Sequence, residues 1–225
     1  MGKPRFSRRQ FLSRAAAGAG AVAAAGALAG TGSTAEAQPH PHAPPNAPEA
    51  HGGVASESFL FFTTQQGHTV DAIAERMIPA DPLGPGAREA GVVFYIDRSL
   101  VGPYAHLKDV YRVGLEAIDT YSHATHGAAF RDLTPERQDA VLRAMDDGKA
   151  TGFTAPTAKG FFELLLSHVR EGMFSDPSHG GNRNFIGWRL LRHPGVQWQH
   201  PTTAQWDGYG PDVEIRAAGD WGFRR

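Results

Sequence analysis

FFELLLSHVREGMFSDPSHGGNRNFIGWRLLRHPG, residues 161–195, is the stretch whose reading decides the fold. Its first half places Phe162, Leu165, Leu166, Val169 and Met173 on one stripe at steps of three and four, the period of an α-helix with one apolar face. Its second half changes character at once. Glu171-Gly172 is expected to end the helix, because glycine accepts the left-handed conformation of a helix cap. Asp176-Pro177 then sets a turn, and Gly180-Gly181-Asn182 supplies backbone shapes closed to bulkier side chains. A bland surface connection would not need a loop specified in such detail.

Working outward towards the N-terminus, the same helical period recurs and no run alternates long enough to demand a strand. Val70, Ile73, Ala74 and Met77 form an apolar face, with Thr69 placed to cap the start and Pro79 to stop the helix. Asp81-Pro82-Leu83-Gly84-Pro85-Gly86 reads as a rigid, turn-rich loop. A second helix is expected from about Ala87 to Leu100, burying Val92, Ile96 and Leu100. Pro103 can open a third, with Leu107, Val110, Tyr111, Leu115, Ile118 and Ser122 on one stripe. Thr134-Pro135 starts a fourth, in which Val141, Leu142 and Met145 face inward before Gly148. With the helix beginning near Phe161, this predicts an all-α, single domain of roughly five helices over residues 57–200. Residues 201–225 form an irregular tail in which Trp206, Tyr209, Trp221 and Phe223 need a surface to lie on, either this domain or a partner.

Before the helical body, QPHPHAPPNAPEAHGGVAS is rich in Pro, Ala and His, and residues 38–56 are expected to be a linker that cannot bury a core. Its His40, His42 and His51 could grip a metal, but a solvated tract is the simpler reading. Ahead of it, Ser7-Arg8-Arg9-Gln10-Phe11-Leu12 is a twin-arginine motif, followed by an Ala/Gly-rich stretch and then Ala35-Glu36-Ala37. Residues 1–37 therefore read as a twin-arginine signal peptide with Arg8, Arg9, Phe11 and Leu12 as its motif, and the expected destination is the periplasm. The apolar stretch falls short of the roughly 20 strongly apolar residues of a spanning helix, which favours a cleaved leader over an anchor.

The chain has 22 Lys and Arg against 23 Asp and Glu; without the five cations and one anion of the leader, 17 stand against 22, a net charge near −5. That sign argues against nucleic acid as a partner. Cysteine is absent, which excludes disulfides, thiolate metal sites, iron–sulfur clusters and covalent haem attachment. No G-x-G-x-x-G follows a strand and no P-loop is present. The twin-arginine route commonly carries proteins folded around a cofactor, so either an unsigned site binds one or a partner holds it.

Several side chains are candidates for chemistry. Glu171, Asp176 and His179 could form an acid–base group; alternatively Asp176 and Asn182 hold loop amides and Glu171 pairs with Arg170 or Arg183. His123 and His126 have a spacing that can bring two imidazoles to one metal, but no third ligand completes a set nearby, and a solvated helix end is the simpler reading. Phe185 and Trp188 suit a core or a partner surface. Arg183, Arg189 and Arg192 suit an anion site or an interface.

The segment resembles the signature of the gluconate 2-dehydrogenase subunit 3 family at Phe161-Phe162, Leu165, Glu171-Gly172, Phe174, Asp176-Pro177, Gly180-Gly181-Asn182, Gly187-Trp188 and Pro194-Gly195. Ile78-Pro79-Ala80-Asp81, Pro85-Gly86-Ala87 and Ala90-Gly91-Val92 are similar to the family's opening block. The resemblance implies a non-catalytic small subunit that itself holds no metal or cofactor. It also implies a large flavin subunit of the glucose-methanol-choline type holding FAD, a cytochrome c subunit carrying haem, and export through the twin-arginine translocase. On that reading Glu171, Gly172, Phe174, Asp176, Pro177, Gly180, Gly181, Asn182, Arg183, Gly187 and Trp188 are family-motif or interface residues rather than catalytic ones.

Overall fold

The computed structural model describes residues 58–196 and 215–218, and within them the elements are helices joined by loops, with no strand. The helices are α1 (Thr64–Met77), α2 (Val92–Val101), α3 (Lys108–His126), α4 (Pro135–Asp146), α5 (Ala158–Phe174) and α6 (Ile186–Leu191). The all-α reading holds; α6 is the helix that periodicity did not single out, because it is six residues long. The expected leader (residues 1–37), the expected linker (38–56) and most of the expected tail lie outside the described residues.

α5 is the central element, packing against α2, α4, α1 and α3. Of the expected stripe Leu165, Val169 and Met173 are buried completely and Phe162 nearly so, while Leu166 is half-buried; Phe161 and His168 join the buried face. Facing it are Ile73 and Val70 of α1, Ile96 and Leu100 of α2, Tyr111 and Ile118 of α3, and Leu142 and Met145 of α4, all fully or almost fully buried. Two glycines set the helix spacings. A Cβ on Gly114 of α3 would overlap the Phe161 ring, and one on Gly172 of α5 would lie 3.0 Å from Val92 Cγ1 and 3.1 Å from Tyr95 Cβ of α2.

Four helix boundaries differ from expectation. α1 starts at Thr64, because Thr63 and not Thr69 is the cap: the Thr63 hydroxyl accepts the Gln66 N–H and the Gln66 side chain accepts the Thr63 N–H. Thr69 is buried within the helix. α2 starts at Val92 and not near Ala87, since Gly91 takes φ 68° and interrupts the chain direction. α3 is preceded by a 3-10 turn, Ala105–Leu107, after Pro103. α5 does not end at Glu171-Gly172 but runs on to Phe174; Gly172 is present for close packing and not as a cap. Pro135 at the first position of α4 and Pro79 just beyond α1 stand as anticipated, and Thr134 is the cap residue of α4, but its hydroxyl makes no capping bond.

One buried carboxylate fixes the way the chain enters the domain. Asp97 of α2, 1% exposed, accepts the backbone N–H groups of Leu60, Phe61 and Phe62 at 2.6, 3.0 and 2.9 Å. Phe62 is thereby seated in the core beside Tyr111, and Phe59 stacks on Phe94 at 5.4 Å. A second polar clamp joins α1 to α4, where Arg76 donates through two nitrogens to Asp139, at 2.7 and 3.0 Å. No described helix is long and apolar enough to cross a membrane.

Replacing Asp97 by Ala leaves three amides without their acceptor and is expected to cost about 3 kcal/mol, with a smaller loss for Asp97→Asn. Urea unfolding followed by circular dichroism measures both, and equal midpoints for Asp97→Ala and the unsubstituted chain would remove Asp97 from this role.

Candidate functional site

The α2–α5 crossing carries two polar layers, one on each side of Gly172. In the first, Glu171 Oε2 accepts the hydroxyls of Tyr95 and Tyr104, both at 2.9 Å, and Ser167 donates to Oε1 at 3.2 Å. One turn before Glu171, buried His168 bonds the Tyr111 hydroxyl through Nδ1 at 2.8 Å. The Tyr104 ring stacks on the imidazole at 4.5 Å and 8°. Burial and the neighbouring Glu171 carboxylate push the phenols of Tyr95 and Tyr104 upward, and burial pushes Tyr111 far up. Burial lowers His168, with Glu171 opposing it. These groups are therefore neutral hydroxyls and a neutral ring gathered around one carboxylate.

In the second layer Asn182 organises the loop. Its backbone N–H donates to the Gly172 carbonyl at 2.8 Å, its side-chain nitrogen to Ser175 O at 2.8 Å, and its Oδ1 accepts the Gly187 N–H at 2.8 Å. Asn182 is fully buried at φ 46°. Gly181 and Gly187 are glycines because a Cβ there would run into the carbonyls of Gly172 and Met173. Gly180 takes φ 103° beside the Arg98 side chain. Asp176 caps the turn Pro177–His179 through the Ser178 N–H at 2.9 Å and accepts the Ala218 N–H at 2.8 Å, so the described part of the tail lies on this loop. Burial works to raise the Asp176 carboxyl, but these amide donors and nearby His179 leave it below its usual value. The buried Trp188 indole donates to Phe174 O at 2.7 Å and stacks on Phe185 at 5.7 Å.

The expected contacts fall out unevenly. Asp176 and Asn182 do hold loop amides. Glu171, however, pairs with hydroxyls and not with Arg170 or Arg183; the Arg183 guanidinium lies 4.2 Å over the Phe94 ring, and its N–H donates to Ala90 O at 3.1 Å. Nor does an acid–base group assemble, for Glu171 belongs to the tyrosine layer while Asp176 belongs to the loop with His179 nearby. Trp188 is a core residue with its partner in the chain, and Phe185 is half-buried against it. His123 and His126 occupy the last turn of α3, closed by Gly127 at φ 78°. Among the described residues no three His, Asp or Glu side chains gather as metal ligands would.

Sequence reading missed Tyr95, Tyr104 and His168, and took Tyr111 for a core residue without its hydroxyl's partner. His168 carried a usable signal, lying on the buried face of α5 three residues after Leu165. The strain of the loop was also hidden: Asn182, Asn184, Phe185 and Arg192 all have φ between 46° and 57°, each costing on the order of 1 kcal/mol. A family model described as gluconate 2-dehydrogenase subunit 3 matches residues 64–195, more than half of the chain and the whole of this crossing. No curated protein and no solved structure matches the chain.

Because the fold holds His168 neutral and lowers its pKa, its contribution to stability is present above the unfolded value of about 6.5 and is lost as pH falls through the folded one. Urea midpoints between about pH 8 and pH 5 should fall on the acid side, and His168→Gln should flatten that limb. Asn182→Ala is expected to lose about 3 kcal/mol, and Asn182→Gly less, since glycine accepts the backbone but not the hydrogen bonds. Thermal melts that rank glycine level with the unsubstituted chain would show that φ and not the amide governs the loop.

Proposed function

Since the chain belongs to the gluconate 2-dehydrogenase subunit 3 family, we propose that it is the non-catalytic small subunit of a periplasmic FAD-dependent dehydrogenase acting on sugars or sugar acids. It assists maturation of the flavin subunit and carries it through the twin-arginine translocase. FAD resides in a large subunit of the glucose-methanol-choline type, and a cytochrome c subunit carries electrons onward through haem; this chain supplies neither group. The complex is peripheral to the inner membrane through those partners.

The observation that carries the reading is the family match over the helical body and its glycine loop. Two features of the chain support the finer part. Ser7-Arg8-Arg9-Gln10-Phe11-Leu12 is the kind of signal used for folded cargo, while no dinucleotide or phosphate motif is present to explain it by a cofactor of this chain's own. The crossing also gives a structural use for the motif residues that needs no turnover: Glu171 is tied up by three hydroxyls, and Asn182 is spent on loop amides.

Co-expression with its genomic neighbours, followed by purification through a tag on this chain, is expected to yield a flavin absorption spectrum and sugar-dependent dye reduction. Arg8→Lys with Arg9→Lys should leave both polypeptides in the cytoplasm, read by fractionation. A colourless single chain from the periplasm would overturn the subunit reading in favour of a free-standing helical binding module.

A further inference from the structure

Two places on the body meet one short segment from far along the chain. Arg216 lies in a parallel bridge beside Gly195: its N–H donates to Pro194 O at 3.2 Å, and its carbonyl accepts the Val196 N–H at 2.9 Å. Two residues on, the Ala218 N–H donates to Asp176 Oδ2 at 2.8 Å. Asp176 stands ahead of the glycine loop in sequence and Gly195 stands just beyond α6, so residues 216–218 tie the two flanks together.

The body receives this segment through groups already arranged for it. Asp176 is fixed by its other oxygen, Oδ1, which accepts the Ser178 N–H at 2.9 Å. Gly195 takes φ 79°, and a Cβ there would overlap the Arg216 carbonyl. Its own N–H is satisfied within the body by His193 Nδ1 at 2.9 Å, and the His193 N–H donates to Trp188 O at 2.8 Å. The edge that meets Arg216 is thereby rooted on a buried indole. Pro194 and Gly195 are buried, and residues 215–218 are half-buried. All three bonds are made by the main chain of the incoming segment, the mode in which an extended peptide adds to a backbone edge.

Arg216 and Val196 are 20 positions apart in the sequence, and Ala218 and Asp176 are 42 apart. Closing such a length costs chain entropy that one hydrogen bond scarcely offsets. Once one attachment has formed, the second closes almost no further chain, so the two hold or release together. Burial alone would raise the Asp176 carboxyl, and the Ala218 amide leads the groups that hold it below its usual value. The ionised carboxylate is the stronger acceptor. Among the charged groups around it, His179 on the same turn favours ionisation, Arg98 of α2 lies against Gly180, and Arg216 belongs to the incoming segment.

We propose that residues 216–218 are a strap closed in cis on the glycine loop, with the Pro194–Val196 edge as its track and Asp176 as its latch. The track at Pro194 and Gly195 falls inside the family match and the strap lies outside it. The inference stands apart from the small-subunit reading and gives Asp176 and Gly195 an occupant, the main chain of this same polypeptide.

Hydrogen exchange of the full chain, read residue by residue by NMR, tests it. The Val196, Arg216 and Ala218 amides are expected to be protected together. Ala218→Pro removes one N–H from the strap and alters nothing in the body. It is expected to lower protection at Val196 and Arg216 about tenfold while Val169 of α5 keeps its own. In the same variant the Asp176 carboxyl should titrate closer to the ordinary carboxylate value. Gly195→Asn, a residue that tolerates positive φ but sets a side chain where the Arg216 carbonyl lies, should also release the strap. Unprotected amides in the unsubstituted chain, or unchanged protection in both variants, overturn the proposal. Loss at Val169 along with the rest overturns it too, since the segment would then belong to the global fold. Protection that disappears on dilution as a dimer separates would overturn closure in cis and assign the edge to a second copy.

Discussion

At Gly172 the backbone of α5 meets Val92 and Tyr95 of α2 with no Cβ between them, and that approach decides much of what surrounds it. Because α5 carries no side chain there, its carbonyl is open to the Asn182 N–H, and Gly181 can lie flat on the same spot. Asn182 in turn spends its amide on Ser175 and Gly187, which fixes the start of α6. On the other side of the same glycine, Glu171 is brought within reach of Tyr95 and Tyr104. A larger residue at 172 would push apart two helices and two hydrogen-bond layers together, since cores at native density have little room to yield.

The two layers differ in how they are stabilised. The loop layer is made of backbone groups closed by one asparagine, so its cost in strained φ is offset by satisfied amides. The tyrosine layer surrounds a carboxylate with three hydroxyl donors. Both layers are cemented by aromatic rings, Trp188 on Phe185 in one and Tyr104 on His168 in the other. At this end of the domain Glu171 and Asp176, two of the acid–base candidates, are instead committed to hydrogen bonds within the chain.

Much of this was legible beforehand. The stripe Leu165, Val169 and Met173, the Thr134-Pro135 start and the Asp176-Pro177 turn follow from local rules, and the structure obeys them. The misjudged residues are those whose role is settled by something distant in sequence. Glycine at 172 reads locally as a cap, yet its reason is Val92, 80 residues away along the chain. Thr69 has the chemistry of a cap, but Thr63 has it too and has Gln66 three residues on to complete the box. Glu171 has cationic neighbours in sequence, but the fold brings it hydroxyls from α2 and from Tyr104 beyond it. Asp97 gave no sign of its function, since its partners are backbone amides, which every residue except proline has.

The clamp at Asp97 has a mechanical meaning. Residues 60–62 lead into α1, and all three of their amides end on one carboxylate rooted in α2. Traction applied through them is shared among three bonds at once before it reaches α1, and α2 passes it on to α5, the best-connected helix. A pull on Phe59 in this way loads a buried anchor rather than peeling the first helix turn by turn.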